Sequence, residues 1–322
     1  MDELEKFTGV SVMIIGDLIM DQFIYGEPSR ISREAPVLIL DETDRKIKPG
    51  GAGNAAVNVS SLGGEAHLVS PTGNDNSWRR LAGVLEEYDI STDGVEVSDS
   101  ISSAVKTRIM AGSDQIVRQQ VVRVDSLEAD LLSDDHRRAI EEYVKSMISK
   151  VDAVIFSDYG LGLFNEDLIG RLLEICRKNS TPSITDSRYQ LLKFSGTTIA
   201  TPNLEEAGRA VEFEPESDAK VLQAGGQILS QLESEYLLIT RGRDGMTLFY
   251  REDDYEHIPV SNKLDVYDVT GAGDTVAAAV ALGMGADMDV GRAVRLANKA
   301  AGVAVKKEGA APVYLDELKE VV

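Results

Sequence analysis

Short apolar runs alternate with helix-like segments along most of the chain. The apolar runs end in Gly, Asp, Asn or Thr, as in VSVMIIGD, AHLVSPTG, DAVIFSDYG, PSITDS, GTTIATPN and YLLITRGRDG. Between several of them, apolar residues recur at helical spacing, as in DDHRRAIEEYVKSMISK and AKVLQAGGQILSQLES. This alternation predicts an α/β fold with a mainly parallel sheet and helices on both faces. The polar residues at the strand ends predict a ligand site at the carboxyl edge of that sheet.

Two stretches interrupt this pattern and predict a second, smaller sheet. Residues 18–40 and 103–125 alternate apolar and polar positions around Gly, Ser and Asp turns. We therefore assign residues 1–17, 41–102 and 126–322 to the α/β domain and the two stretches to an inserted β lid. A sheet over the ligand edge can close a site, and it can also serve as a dimer contact. Because free sheet edges tend to be covered, we expect a homodimer through the lid.

Charge and composition exclude several classes of function. The 322 residues include 33 basic and 54 acidic residues, and a net charge of -21 argues against a broad nucleic-acid or anionic-membrane surface. The single cysteine, Cys176, lies in an apolar helical pattern and predicts a buried thiol. His67, His136 and His257 have no metal-binding spacing. An acidic start without a signal-type apolar core, and the lack of a long apolar run, predict a cytoplasmic protein without membrane spans.

The stretch DVTGAGDT, residues 268–275, has the layout of a phosphate-binding turn. A glycine turn opens directly into an alanine-rich helix, so the amides of Ala272, Gly273 and Asp274 and the helix dipole can form an anion hole. The same positive field would keep Asp274 ionised, ready to accept the proton of a substrate hydroxyl. A simple helix-capping role is the competing interpretation of this aspartate.

A second glycine cluster, KPGGAGN, precedes the pattern of another helix. It contains the G-x-G-x-x-A pattern of dinucleotide sites, but it does not directly follow the first predicted strand, which argues against nicotinamide or flavin. Neither cluster supplies the lysine of a P-loop. Paired glycines and Asn54 would instead let a small polar ligand approach the backbone, although a tight packing loop explains the glycines equally well.

These two clusters, in this order, resemble the ribokinase-like (PfkB) family of carbohydrate kinases. TPNLEEA resembles the family's N-x-x-E motif, and TRGRDG resembles its T-x-G-x-x-G nucleotide turn. Within the family, GDLIMDQFIYGEPSRISREAPV, SDYGLG and VYDVTGAGDT are similar to the kinase part of the enzymes that make ADP-heptose. The resemblance covers essentially the whole chain. It implies a ribokinase-like fold, ATP with Mg²⁺, and phosphorylation of D-glycero-D-manno-heptose 7-phosphate at its anomeric hydroxyl.

The resemblance also implies roles for individual residues. Asp274 would be the base, with an anion hole at Gly271, Ala272 and Gly273. Sugar contacts would come from Asp17, Asp21, Gly50, Gly51, Asn54 and Asp158, and nucleotide contacts from Asn203, Glu206, Thr240, Gly242, Gly245 and Asn298. Glu206 would lie near Mg²⁺, and Asp268 and Thr270 would line a site for a monovalent cation such as K⁺. Capping and turn roles are open alternatives for Asp17, Asp21, Asp268 and Thr270.

The remote phosphate of the substrate needs basic residues. Arg108 and Arg118 lie in the second lid stretch, at positions that resemble basic residues of the heptose kinases, and Arg188 replaces a lysine of the family's pattern. A guanidinium can bind phosphate through two parallel hydrogen bonds, although solvated surface charges are the alternative reading of these arginines. A kinase for ribose, fructose or a keto-deoxy sugar acid, and a non-catalytic sugar-nucleotide sensor, remain the competing functions.

Overall fold

The predicted apolar runs form the centre of a nine-stranded sheet in the computed structural model, which describes residues 3–113, 116–127, 132–251, 254–261 and 267–322. Two sheets account for the strands of these residues. The strands are β1 (Ser11–Gly16), β2 (Leu18–Ile31), β3 (Leu38–Gly51), β4 (Glu65–Gly73), β5 (Ser91–Ser98), β6 (Ala104–Ser113), β7 (Ile116–Ser126), β8 (Ala153–Asp158), β9 (Ser183–Ser187), β10 (Ile199–Ala200), β11 (Tyr236–Thr240), β12 (Met246–Tyr250) and β13 (Tyr255–Ile258).

The main sheet is mostly parallel, which confirms the predicted fold class. Its strand order is β13-β12-β11-β10-β9-β8-β1-β4-β5, and only β12 and β13 run antiparallel to their neighbours. The central strands β1 and β8 are buried along their whole length, as expected of strands with helices on both faces. The parallel strands β1, β8, β9, β10 and β11 therefore end at one common edge.

Helices cover both faces of this sheet. The helices of the described residues are α1 (Ala52–Ser61), α2 (Asn76–Glu87), α3 (Asp134–Met147), α4 (Glu166–Lys178), α5 (Leu204–Val211), α6 (Asp218–Leu232), α7 (Ala272–Gly285), α8 (Val290–Ala304) and α9 (Leu315–Lys319). The side chains of α1, α7 and α8 share one apolar core, whereas α3 and α4 build a second core and α6 a third. Helix α7 is buried from Asp274 to Gly283, which its alanine-rich sequence permits because small side chains allow close helix packing.

The second sheet confirms the predicted lid strands but extends beyond one expected boundary. Its order is β3-β2-β6-β7, with β2 and β6 parallel and the outer pairs antiparallel. Strand β3 continues to Gly51, whereas the sequence placed the end of the lid at residue 40. The residues from Asp41 to Lys46 are exposed, so no apolar alternation marks them as a strand. Pairing with β2 holds them in the sheet, with Lys48 opposite Asp21.

Cys176 is 2% exposed in α4, and burial raises the pKa of its thiol to about 12, so it is a packing residue as predicted. Within the described ranges, none of the helices has the length and apolar character needed to cross a bilayer.

Candidate active site

The carboxyl edge of the main sheet and the inner face of the lid enclose a cavity of about 380 Å³. It brings together most of the residues that the sequence predicts as a site. Lining it are Asp21, Gly50, Gly51, Asn54, Arg108, Asp158, Arg188, Asn203, Glu206, Thr240, Thr270, Gly271, Gly273 and Asp274. These residues come from both sheets and from the starts of α1, α5 and α7, so the site exists only in the complete fold.

The turn before α7 presents backbone amides to this cavity. Gly271 caps the helix with a φ of 80°, and a Cβ at this position would lie 2.9 Å from Asn54 Nδ2, so glycine is required on both counts. Among the described residues, the amides of Gly273 and Asp274 have no hydrogen-bond acceptor. The amide of Ala272 donates to the Val269 carbonyl at 3.3 Å, and Ala272 does not line the cavity. The turn itself therefore uses the Ala272 amide, and the part of this amide in an anion hole stays a prediction.

Asp274 is buried at the cavity floor and held by one donor on each oxygen. Its Oδ2 accepts a hydrogen bond from Asn54 Nδ2 at 2.5 Å, and its Oδ1 accepts one from the Tyr159 hydroxyl at 3.1 Å. Burial raises the pKa of Asp274 to about 6, while the hydrogen bonds from Asn54 and Tyr159 lower it. The carboxylate is therefore ionised at neutral pH yet basic enough to accept a proton. In the part of the chain that the structure describes, the start of α7 has no side-chain capping hydrogen bond, so Asp274 does not act as a helix cap.

Helix α1 supplies Asn54 from directly below the second glycine loop. Gly51 has a φ of 58°, and a Cβ there would lie 2.2 Å from the Asp17 carbonyl. This close approach starts α1 beside the end of β1. Asn54 therefore points at Asp274 and orients the carboxylate, in addition to lining the predicted sugar pocket.

Further carboxylates face the cavity near the start of α5. Asn203 and Glu206 cap this helix reciprocally, each side chain accepting from the other's backbone amide at 2.9 Å. Burial raises the pKa of Glu206 and raises the pKa of Asp186 well above its usual range. Over the described part of the chain, no group of three or more acidic, His or Cys side chains has the geometry of a metal centre.

The lid contributes a charged inner face. Strand alternation places Asp21 on β2 and Lys106 and Arg108 on β6 on this side, and Arg108 forms an ion pair with Asp21. The side chains of this pair are 19% and 16% exposed. Lys106 lies 5.5 Å from the Tyr159 ring centre, and burial lowers the pKa of Lys106. No carboxylate among the described residues lies within ion-pair distance of its ammonium group. The side chain of Arg118 lies outside the described residues.

Several predicted site residues do not line the cavity. Asp17 instead accepts hydrogen bonds from the Tyr159 and Leu161 amides at 2.8 and 3.1 Å, because it ends a strand directly beneath that loop. Asn298 is 6% exposed and donates to the Pro259 carbonyl at 2.8 Å. Asp268 accepts from Thr270 and from the Gly309 amide, so both of its oxygens stabilise local backbone.

The T-x-G-x-x-G residues form the turn that follows β11. Gly242 and Gly245 have φ values of 55° and 81°, and a Cβ on Gly245 would lie 2.1 Å from the Ile258 carbonyl oxygen. Of the predicted T-x-G-x-x-G residues, Thr240 lines the cavity and the two glycines shape the turn beside it.

Among the cavity residues that the sequence analysis assigned no role, three carry ionisable side chains: Lys106, Tyr159 and Asp186. Tyr159 directly follows β8, Asp186 lies near the end of β9, and Lys106 lies two residues before Arg108 on β6. The sequence could have indicated Lys106, because alternate residues of a strand share one face and Arg108 was already assigned to the site. Tyr159 gave no such signal, since its hydroxyl reaches Asp274 across 115 residues of chain.

Comparison with known proteins identifies the family. A model of the pfkB family of carbohydrate kinases matches residues 10–317. The bifunctional protein HldE of Geobacter sulfurreducens is 34% identical over 310 residues, which are 96% of this chain and 62% of that protein. HldE of Gluconobacter oxydans is 36% identical, over 98% of this chain and 65% of that protein. The chain thus spans less than two thirds of the length of these relatives.

Solved structures confirm the ribokinase-like fold. Ribokinase of Arabidopsis thaliana, complexed with ribose and ATP, superposes with a TM-score of 0.75 and 18% identity, covering 98% of this chain and 99% of that one. Phosphofructokinase-2 of Escherichia coli, in complex with potassium, superposes with a TM-score of 0.76 and 18% identity, covering 98% of both chains. The family match over almost the whole length confirms the resemblance that the glycine motifs predict. The chain therefore belongs to the pfkB family of carbohydrate kinases.

Proposed function

We propose that this kinase transfers the terminal phosphoryl group of ATP to the anomeric hydroxyl of D-glycero-D-manno-heptose 7-phosphate, which yields the 1,7-bisphosphate and ADP. The observation that carries this choice of substrate is the cationic inner face of the lid. Lys106 and Arg108 line the same cavity as Asp274, so an acceptor with a second phosphate can be held at one end while its hydroxyl meets the base at the other. An unphosphorylated sugar would bring no anion to the Lys106 ammonium, which has no carboxylate within ion-pair distance among the described residues.

The proposed base is Asp274. Its carboxylate accepts the proton of the acceptor hydroxyl as that oxygen attacks phosphorus. The Gly273 and Asp274 amides at the start of α7 donate to the oxygens of the transferred group, and the helix dipole adds a positive potential there. The Asp274 carboxylate thus accepts a proton, whereas the amides beside it stabilise negative charge.

The family implies ATP with Mg²⁺, and the residues present fit both. Phosphates fit this turn, because the Gly273 and Asp274 amides have no acceptor among the described residues and a Cβ at Gly271 would lie against Asn54 and Ala310. Mg²⁺ usually keeps several waters and binds one or two carboxylates together with substrate phosphates, so Glu206 and Asp186 suit it without forming a complete protein cage. When bound, Mg²⁺ neutralises phosphate charge. We assign the nucleotide to Thr240 and the turn of Gly242 and Gly245.

A monovalent cation site at Asp268 and Thr270 remains a proposal. Both residues lie in the turn that leads to α7, and Asp268 Oδ2 accepts from the Gly309 amide at 3.0 Å, which joins two loops beside the anion hole. A cation bound by backbone carbonyls of these loops would stiffen the turn. Activity in K⁺ should exceed activity in tetramethylammonium at equal ionic strength, and equal rates would contradict this site.

The outer face of the lid supports a homodimer. Val122 and Val124 on β7 are 47% and 56% exposed, and strand register places them on the same face as Ile109 of β6. This face is opposite to the one that carries Lys106 and Arg108, so a second copy can cover it without entering the cavity.

The substrate assignment is tested with a panel of acceptors and an ADP-release assay. The panel contains D-glycero-D-manno-heptose 7-phosphate, the same heptose without phosphate, ribose, fructose and a keto-deoxy sugar acid. We expect kcat/KM for the phosphorylated heptose to exceed that for the free heptose by about 100-fold, as expected when a buried charge gains its partner. A preference for any unphosphorylated sugar would contradict the proposal, and ATP and sugar binding without product would favour a sensor.

A further inference from the structure

We propose that Tyr159 is a positioning residue that orients the Asp274 carboxylate, and that the buried Asp17 carboxylate holds the loop that carries Tyr159. The inference rests on the proposed role of Asp274 as the base. It deepens that role by linking three residues that are far apart in the chain and lie on different elements. It also gives Asp17 a function other than the sugar contact expected from the sequence.

Hydrogen bonds from two side chains hold the Asp274 carboxylate. Asn54 donates to Oδ2 and Tyr159 donates to Oδ1, so each oxygen of the carboxylate has one fixed donor. Two donors on opposite oxygens set the rotation of the carboxylate plane. Because an ionised carboxylate has about four lone-pair directions, acceptor positions remain for an incoming hydroxyl. Without the Tyr159 hydroxyl, Oδ1 would be unsupported and the plane free to turn about the remaining contact.

Two carboxylates hold the loop that carries Tyr159. The single oxygen Asp17 Oδ2 accepts from the amides of Tyr159 and Leu161, and Asp158 Oδ1 accepts from the amide of Gly160 between them at 3.0 Å. Asp158 Oδ2 in turn accepts from the Ser187 hydroxyl at 2.6 Å. Three consecutive amides are thus bound by two buried carboxylates. This arrangement fixes the loop to the ends of β1, β8 and β9.

Asp17 fits a supporting role better than a contact with sugar. Its residue is 3% exposed, and its side chain lines a separate space of only about 30 Å³. Burial raises the pKa of Asp17 to about 7. Since one oxygen receives both amides, the loop can be held whether or not the other oxygen carries a proton. An asparagine carbonyl can take the same place, which offers a conservative variant.

The charged groups around Asp274 determine how loss of the Tyr159 hydroxyl should change the pKa of this carboxylate. Asp21 from the lid, Asp186 from β9 and Glu206 from α5 all disfavour its ionised form, and Arg188 lowers the pKa of both Asp186 and Glu206. Burial raises the pKa of Tyr159 well above its usual value, so its hydroxyl stays a donor at neutral pH. Removing this donor takes away one of the few interactions that favour the carboxylate.

The test uses the full chain and Tyr159→Phe, which deletes the hydroxyl and keeps the ring beneath Lys106. With ATP and the best acceptor of the panel above, we expect kcat to fall by about ten-fold, as for loss of one hydrogen bond to a charged group. The acidic limb of the pH profile of kcat/KM should move up by roughly one unit. The KM for ATP should stay within about two-fold, since no nucleotide contact changes.

Tyr143→Phe on α3 is the matched control. Tyr143 does not line the cavity, and we expect the pH profile and kcat of this variant to match those of the parent protein. A Tyr159→Phe variant with the parental pH profile would overturn the positioning role, even if its kcat were lower, because packing damage alone does not move the acidic limb.

Variants of Asp17 test the second half of the proposal. Asp17→Asn should retain most activity, whereas Asp17→Ala should reproduce the shifted profile, and adding Tyr159→Phe to Asp17→Ala should cause no further loss. If Asp17→Ala does not fold, a strongly impaired but folded Asp17→Asn would still contradict the proposal. A fully active Asp274→Asn would overturn the proposed function itself. An inactive Asp274→Asn with an unaltered Tyr159→Phe would overturn only the positioning role.

Discussion

At the residue scale, two opposing effects set the pKa of Asp274: burial raises it, and two hydrogen bonds lower it. A carboxylate next to amides that we propose bind phosphate would be repelled by that phosphate if it were simply another surface charge. Burial raises its pKa to about 6, and the donors Asn54 and Tyr159 limit that rise. A base in this range is ionised at neutral pH and still accepts a proton readily. The sequence predicts the aspartate and its amides, but not the two donors, because they come from distant positions on other elements.

This balance predicts a pH dependence. Because only the ionised carboxylate can accept a proton, kcat/KM should fall as the pH drops through about 6, approaching a ten-fold loss for each further unit. The enzyme is therefore active above about pH 6, where Asp274 is ionised, and loses activity below that pH, where Asp274 is protonated. A profile of kcat/KM between about pH 5 and 9 checks this. A limb near the ordinary aspartate pKa, close to pH 4, would contradict the effect of burial.

At the element scale, the lid shows how strand alternation distributes charge. Asp21 and Phe23 on β2 face the same side as Lys106 and Arg108 on β6, and the Arg108 guanidinium lies 5.2 Å from the Phe23 ring centre. Alternation of this kind is readable from sequence, which is why the lid strands were predicted. The end of the lid was not, since the exposed stretch from Asp41 to Lys46 in the middle of β3 has charged residues on both faces. Pairing, rather than its own pattern, keeps that stretch in the sheet.

The lid therefore yields a prediction about substrate affinity. Lys106→Gln removes a cation from the cavity and should raise KM for the heptose 7-phosphate by about ten-fold or more, because a partly buried charge pair is lost. The KM for ATP should change little. Arg45→Gln is the matched control, since Arg45 on β3 is exposed, pairs with Glu42 and faces the other side of the sheet. Equal effects of the two variants in steady-state assays would contradict the assigned phosphate contact.

At the scale of the whole molecule, the fold was largely predictable and the site only in part. Strand ends rich in Asp, Asn and Thr predict the edge of the sheet at which the cavity lies, because parallel strands end together. Asp17 and Ala272 carry the expected residue types, yet their polar groups bind the protein's own backbone. Residue type and spacing cannot distinguish a ligand contact from such a backbone contact, since both need the same donors and acceptors.

The proposed dimer is also a property of the whole molecule. Val122→Lys and Val124→Lys together place charges on the outer lid face and should convert a dimer to a monomer in sedimentation experiments, because a buried interface excludes unpaired charge. Val97→Lys is the control, since Val97 is exposed on β5 at the far edge of the main sheet. A parent protein that sediments as a monomer, or a double variant that stays dimeric, would contradict this interface.

The most direct test of the account is the steady-state rate of Asp274→Asn. The variant keeps the side-chain size and removes the basic oxygen, so we expect kcat to fall by about 100-fold or more while KM for ATP and for the sugar changes little. Thermal unfolding close to that of the parent would confirm that the variant is folded. A folded Asp274→Asn variant with parental kcat would contradict the assignment of this carboxylate as the proton acceptor, and with it the proposed mechanism.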